Sequence, residues 1–158
     1  MMTDILLRKM IESEFVEWEA YSIGEYAKDK MKALGITEPE AQKLSVESFA
    51  TLLPDGIATS DNYLFVIIRD GVNLGYIWFA LQSERGVTSA FVYDLEVKPE
   101  FRRQGIAEKT MMLLEREARA VGAEKISLHV FGQNTGALNL YSKVGYRITD
   151  YSMAKTLD

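Results

Sequence analysis

Asp94 and Glu96 stand two residues apart in the run Ser89-Ala-Phe-Val-Tyr-Asp-Leu-Glu-Val97. On a strand, that spacing places both carboxylates on one face. Either can take a proton from a substrate, directly or through a water. Immediately after them comes Val97-Lys-Pro-Glu-Phe-Arg-Arg-Gln-Gly-Ile-Ala107, which reads as a strand end, a short turn and a helix start. A helix N-terminus presents backbone N–H groups without intrahelical partners, at the positive end of its dipole. Gly105 has no Cβ and lets a ligand approach that backbone closely. With Arg102, Arg103 and Gln104 before it and Ile106 and Ala107 after it, the junction suits an anionic group such as a phosphate. Junctions of this composition also occur without a ligand, so the rest of the chain has to decide.

Composition narrows the chemistry. The 158 residues contain no cysteine and one histidine. Disulfides, thiolate metal sites, a cysteine nucleophile and multi-histidine metal sites are therefore excluded, and no metal is expected. The length predicts one domain over residues 1–158, large enough for its own core. A formal net charge of −5 argues against general nucleic-acid binding and is compatible with a cationic small molecule or basic peptide as partner. The N-terminus lacks a basic-then-apolar signal pattern and no apolar run approaches membrane-spanning length, so no membrane partner and a cytoplasmic address are expected. A homodimer is compatible with all of this.

The elements that must position these groups can be read in order. Ile5–Arg8 reads as an edge strand. A first helix is expected to bury Val16, Ala20, Ile23, Ala27, Met31 and Leu34, with Gly35 as its stop. Thr37-Glu-Pro-Glu40 resembles a capping box that opens a second helix running to about Leu52. Tyr63–Ile68, Leu74–Leu81 and Ser89–Val97, joined by short turns, read as an antiparallel meander. Ala107, Met111, Leu114, Ala118 and Val121 form one stripe of a third helix ending near Gly122. Lys125–Val130 alternates as a strand, and a strand–helix–strand unit of this length implies a parallel pair. Asn134 is a good N-cap for a fourth helix with Ala137, Leu140, Tyr141 and Val144 on its face and Gly145 at its end. Tyr146–Lys155 is strand-like. The expected fold is α/β, an α+β mixed sheet with helices on both faces, in the order β-α-α-β-β-β-α-β-α-β.

A second stretch, Asn134-Thr-Gly-Ala-Leu-Asn-Leu-Tyr-Ser-Lys-Val-Gly-Tyr146, joins the first in carrying a resemblance. Arg102, Gly105 and Ala107 meet the pattern Gln/Arg-x-x-Gly-x-Gly/Ala, and Asn134, Ala137, Leu140, Tyr141, Gly145 and Tyr146 meet Asn-x-x-Ala-x-x-Leu-Tyr-x-x-x-Gly-Phe/Tyr. Together, in this order and separated by one helix and one strand, they resemble the GNAT superfamily of acyl-CoA-dependent N-acetyltransferases. The resemblance covers roughly Ser89 to Leu157; Ala107 stands where glycine is commoner. It implies acetyl-CoA as cosubstrate, an amine acceptor and a cleft where the fourth and fifth strands splay apart. It further implies that Leu95 and Val97 pair with the pantetheine arm as an added strand would. The N–H groups of Arg102 to Ala107 would cradle the pyrophosphate, and Asn134 would contact the pantetheine or stabilise its loop.

Aminolysis of a thioester needs a neutral amine, a polarised carbonyl, proximity and a proton for the leaving sulfur. The resemblance implies the Val97 N–H for the carbonyl and Tyr141 for the proton, although a tyrosine on an amphipathic helix also serves simply as packing. An alkylammonium is neutral in only roughly one molecule in 2,500 at pH 7, so a base is needed. Asp94, Glu96 or a water is eligible, with Glu96 preferred. His129 reads as a packed, hydrogen-bonded strand residue. Tyr93, Trp18, Tyr21 and Tyr26 are candidates for an acceptor pocket or for core packing. A primary amine of a small molecule, polyamine or peptide is the expected acceptor. The alternative is an acyl-CoA binding module of the same fold that has lost turnover.

Overall fold

The run Leu64–Ile68 is buried at every position. Side chains on a strand alternate between faces, so a strand buried throughout must be covered on both sides. The structure, a computed structural model that describes residues 4–158, shows this arrangement. Five strands, β1 (Leu6–Lys9), β2 (Asn62–Arg69), β3 (Val72–Glu84), β4 (Val87–Val97) and β5 (Lys125–Leu128), lie side by side in sequence order. All neighbours are antiparallel except β4 and β5, which are parallel. Two helices, α1 (Glu12–Leu34) and α2 (Glu38–Leu52), cover one face, where Phe15, Trp18 and Phe49 pack on Leu64, Val66 and Trp78. On the other face α3 (Ile106–Ala120) and α4 (Thr135–Lys143) lie over Phe65, Ile77, Phe79, Ala90 and Val92. The helix boundaries follow local chemistry. Gly35 ends α1 at φ 65°, and the Thr37 hydroxyl accepts from the Glu40 N–H at the start of α2. Among the described residues, no helix is long and apolar enough to cross a membrane.

Three expectations need correction. Helix α1 does not bury the stripe through Val16 and Leu34. Val16 is 59% exposed, whereas Phe15, Trp18, Ser22 and Ala27 are buried. The helix is turned by about one residue, which exchanges valine for two aromatic rings that fill the space against Phe49 and Trp78. Strand β5 stops at Leu128, so His129 lies beyond it, exposed, with its ring edge-on to Phe131. Finally, the strand expected at 146–155 does not form, and residues 146–158 carry no regular structure. A strand needs a neighbouring backbone to pair with, and the tail pairs with none among the described residues.

One irregularity sets up the site. Trp78 pairs with Asp94 and Phe79 with Val92, so Tyr93 is an extra residue in β4. Such a bulge shifts the alternation by one. Ala90 and Val92 face α3, and Leu95 and Val97 do so again beyond the bulge. Asp94 and Glu96 are thereby turned towards α1, where they meet Trp18 and Tyr21. At the same end Gly75 lies against β4. A Cβ there would sit 2.0 Å from the Glu96 carbonyl oxygen and 2.9 Å from the Val97 Cα. Both are backbone atoms and cannot rotate away. Gly75→Ala should therefore push the end of β4 outward and destabilise the protein by about 2 kcal/mol, in the range of an overpacked core; urea denaturation measures it, and an unchanged midpoint would show that β4 does not depend on this close approach.

Candidate active site

The Lys98 N–H donates to the Leu74 carbonyl at 2.8 Å, across the β3–β4 pair. Backbone groups alternate in direction along a strand, so those of Leu95 and Val97 point to the opposite edge. Pairing on that edge ends at Val92 with Leu128. The two parallel strands have parted, and β4 presents an open edge to the gap. One group there is taken, because the Val97 carbonyl accepts from Arg102 Nε at 2.9 Å. The Val97 N–H and both backbone groups of Leu95 remain free of acceptors and donors among the described residues.

The chain then makes one 3-10 turn, Pro99–Phe101, and enters α3. The Arg102 N–H, expected in an anion cradle, donates to the Pro99 carbonyl at 3.3 Å. The cradle starts one residue later. Arg103 at φ 63° and Gly105 at φ 74° are both left-handed and curl the backbone around. The first N–H of this segment with an acceptor is that of Lys109, which donates to the Gly105 carbonyl. From Arg103 to Glu108 the N–H groups have no acceptor among the described residues. Gly105 faces open space, with no atom within 4 Å of the position a Cβ would take. The open space is a cavity of about 360 Å³ between this turn, Val97 and the α4 residues Gly136 and Leu140. Buried Ile106 anchors the turn against Ile5, Ile67 and Leu74. The Gln104 side chain points back to Arg69 at 3.3 Å and leaves only its backbone for the cradle. Ala107 lines the cavity with a small side chain. The geometry fits a diphosphate: several convergent N–H donors, no Cβ in the way and a helix dipole behind them.

Asn134 serves the fold here, since its side chain accepts from the Ala137 N–H at 3.1 Å and caps α4. Helix α4 holds Tyr141, partly buried and edge-on to Tyr146 with ring centroids 5.7 Å apart.

The two carboxylates of β4 have different surroundings. Trp18 Nε1 donates to Asp94 at 3.1 Å. Burial pushes the Asp94 carboxyl up to about 6, the nearby charge of Glu96 adds to this, and the Trp18 bond restrains it. Glu96 accepts from the Tyr21 hydroxyl at 2.7 Å and lies 3.9 Å from the Arg102 guanidinium. The Tyr21 phenol is pushed up to about 12, chiefly by that hydrogen bond. Burial also raises the pKa of Tyr141, and the charge of Asp94 raises it further, so the phenol keeps its proton at neutral pH. The structure thus gathers Asp94, Leu95, Glu96, Val97 and the Arg102–Ala107 turn at one end of β4, with Tyr141 within reach of the Asp94 charge.

Trp18 and Tyr21 as hydrogen-bond partners of the acidic pair were not legible from composition. The signal was present in the spacing, since three residues on a helix advance about 4.5 Å and two on a strand about 6.7 Å, close enough to pair one against the other. The double attachment of Arg102 was likewise not foreseen. Tyr26 packs on Phe49, and Tyr93 stacks on Trp78 at 4.6 Å, so both belong to the packing.

Residues 18–146 match the pattern of the Acetyltransferase (GNAT) family. The chain is 33% identical over 152 residues to the uncharacterized N-acetyltransferase YdgE of Bacillus subtilis (strain 168), covering 96% of this chain and 97% of that one. It is 34% identical to the uncharacterized N-acetyltransferase YycN of the same organism, over 97% of this chain and 99% of the other. The crystal structure of YycN superposes with a TM-score of 0.90, at 98% and 99% coverage. An acetyltransferase structure from Pyrococcus furiosus shares the fold at a TM-score of 0.69 and 24% identity, covering 98% and 100% of the two chains.

The raised carboxyl of Asp94 couples stability to pH. Between about 4 and about 6 the folded protein holds a proton that the unfolded chain has released. The free energy of unfolding from this group therefore falls as pH rises through that window. Asp94→Asn removes the component, so the difference in stability between the variant and the parent should move in the variant's favour as pH rises from about 4 to about 6. Urea denaturation at a series of pH values checks this, and a pH-independent difference would mean that Asp94 titrates as an ordinary exposed carboxylate.

Proposed function

Since this chain belongs to the acetyltransferase (GNAT) family and is an acetyl-CoA-dependent N-acetyltransferase, we propose that it moves the acetyl group to a primary amine of a small molecule, polyamine or peptide, by direct attack in a ternary complex. The observation that carries this reading is the open edge of β4 beyond Val92 beside a turn with unpartnered N–H groups. Acetyl-CoA, when bound, supplies an acyl thioester activated towards amines. The residues do the rest. The backbone groups of Leu95 hold an extended arm in the manner of an added strand. The N–H groups from Arg103 to Ala107 hold a diphosphate. Arg102 bridges the Val97 carbonyl and Glu96 and keeps the strand end and the turn in register. The Val97 N–H polarises the carbonyl under attack.

The base shifts from the expected Glu96 to Asp94. Glu96 already accepts from Tyr21 and faces Arg102, so its carboxylate is engaged in holding α1 and the turn. Asp94, at about 6, is better matched to proton transfer near neutral pH. Glu96 then attracts the ammonium form of the acceptor, and the acidic charge of the chain favours a cationic one. Tyr141 protonates the leaving sulfur, supported by a raised pKa that keeps its proton in place.

Two variants test the assignment. Gly105→Val adds a β-branched side chain at φ 74° where the turn faces the cavity; calorimetric titration with acetyl-CoA should show Kd raised at least tenfold, and an unchanged Kd would move the phosphate site elsewhere. Tyr141→Phe should leave that Kd unchanged and lower kcat about a hundredfold, the scale of a lost general acid, in a thiol-release assay limited by chemistry. An unchanged kcat would return Tyr141 to a packing role.

A further inference from the structure

Trp18 is 1% exposed and packs on three rings, Phe15 at 5.7 Å, Phe49 at 5.9 Å and Trp78 at 5.4 Å between centroids, the last edge-on. A ring held on three sides has little freedom to turn, so the core fixes the direction of its one polar group. That group, Nε1–H, donates to Asp94 Oδ2 at 3.1 Å. Among the described residues no other group donates to this carboxylate. The contact falls two residues past Val92, where the pairing of β4 with β5 ends, and the Asp94 charge reaches Tyr141 of α4. An indole N–H is a donor only. It therefore tells the two carboxylate oxygens apart: Oδ2 is held, and Oδ1 keeps its lone pairs free of the protein.

We propose that Trp18 is a positioning residue of the transfer reaction: its indole N–H fixes Asp94 through Oδ2 and leaves Oδ1 as the atom that takes the acceptor's proton. This rests on the reading of Asp94 as the base. In that step an N–H bond of the acceptor's ammonium breaks, an O–H bond forms at Oδ1, and the electron pair stays on nitrogen for attack on the acetyl carbonyl. A hydrogen bond to Oδ2 is stronger while the carboxylate is ionised. It thus favours the form that is ready to receive a proton and counters burial, which favours the neutral one. The other groups facing Asp94 do not do this. Glu96 on the same strand opposes ionisation, and Tyr141 of α4 keeps its own proton at neutral pH. Tyr21 of α1 and Arg102 of the turn are engaged with Glu96. Trp78 of β3, opposite Asp94 in register, gives its indole N–H to Asn62 at 2.8 Å.

The two indoles supply the test and its control. The chain has two tryptophans, so isotope labelling of tryptophan nitrogen gives two indole N–H signals by NMR, with neither cofactor nor acceptor present. The Trp18 signal, bonded to a carboxylate, should move through a transition at about pH 6. The Trp78 signal, bonded to the neutral Asn62 amide, should stay in place. Asp94→Asn should abolish the transition and Glu96→Gln should keep it. Trp18→Phe keeps a ring in the core and loses the donor. With carboxyl-labelled aspartate, Asp94 in that variant should titrate about one pH unit higher, the scale of a lost hydrogen bond to an ionised group. A Trp18 signal that does not move, a transition that survives Asp94→Asn or vanishes in Glu96→Gln, or an Asp94 midpoint unchanged in Trp18→Phe would overturn the inference. The first three readouts keep the indole in place, so they decide the matter even where Trp18→Phe does not fold. Acetyl transfer retained by Asp94→Asn is a separate failure: it removes Asp94 as the base while the Trp18 transition remains.

Discussion

Beyond Val92 the fourth strand loses its parallel neighbour and keeps its antiparallel one. Everything in the site depends on that half-paired stretch of backbone. An unpaired edge buried between layers would leave polar groups without partners, so it is tolerable only where a ligand or water can reach it. The chain arranges this with two local devices. The bulge at Tyr93 falls where β4 and β5 part, and it rotates the following residues by one step. Gly75 lets β3 lie against Glu96 and Val97 with no side chain between them. The free edge is thus held firmly from one side only.

The same rotation assigns the two faces of β4 to different tasks. Leu95 and Val97 join the apolar cluster under the start of α3 and tie the open edge to the turn with free N–H groups. Asp94 and Glu96 look the other way, at α1. There, burial works against ionisation while Trp18 and Tyr21 supply hydrogen bonds. Asp94 is raised to about 6, and Glu96 is held by one donor, the Tyr21 hydroxyl, with the Arg102 guanidinium 3.9 Å away. Two acidic residues of similar chemistry become distinct because α1 is turned to present an indole to one and a phenol to the other.

Arg102 illustrates how one residue links these parts. It sits in the turn by sequence, yet its guanidinium reaches back to the Val97 carbonyl and towards Glu96. Much of its value is geometric, since an exposed ion pair at 3.9 Å contributes little by itself. The hydrogen bond occupies the cleft-facing carbonyl of Val97, leaving that of Leu95 free, and it ties the strand end to the helix start.

The sequence by itself determined the helices, the first five strands, their order and the left-handed turn before α3, because periodicity, capping residues and a left-handed glycine are local properties. Gly35, Thr37, Asn134 and Gly105 act where their chemistry predicts. It also carried the family, through two motifs on either side of one helix and one strand. Tertiary structure alone decided which face of α1 is buried, since valines and aromatics offered two rival stripes and only the volume available against Trp78 chose between them. It decided that the Arg102 N–H is engaged and that the run of unpartnered N–H groups begins at Arg103. It decided that the Asp94 carboxyl is raised, because burial belongs to the packed layers and not to the residue. The strand-like tail shows the limit most plainly: alternation makes a segment able to form a strand, but only a neighbouring backbone makes it one.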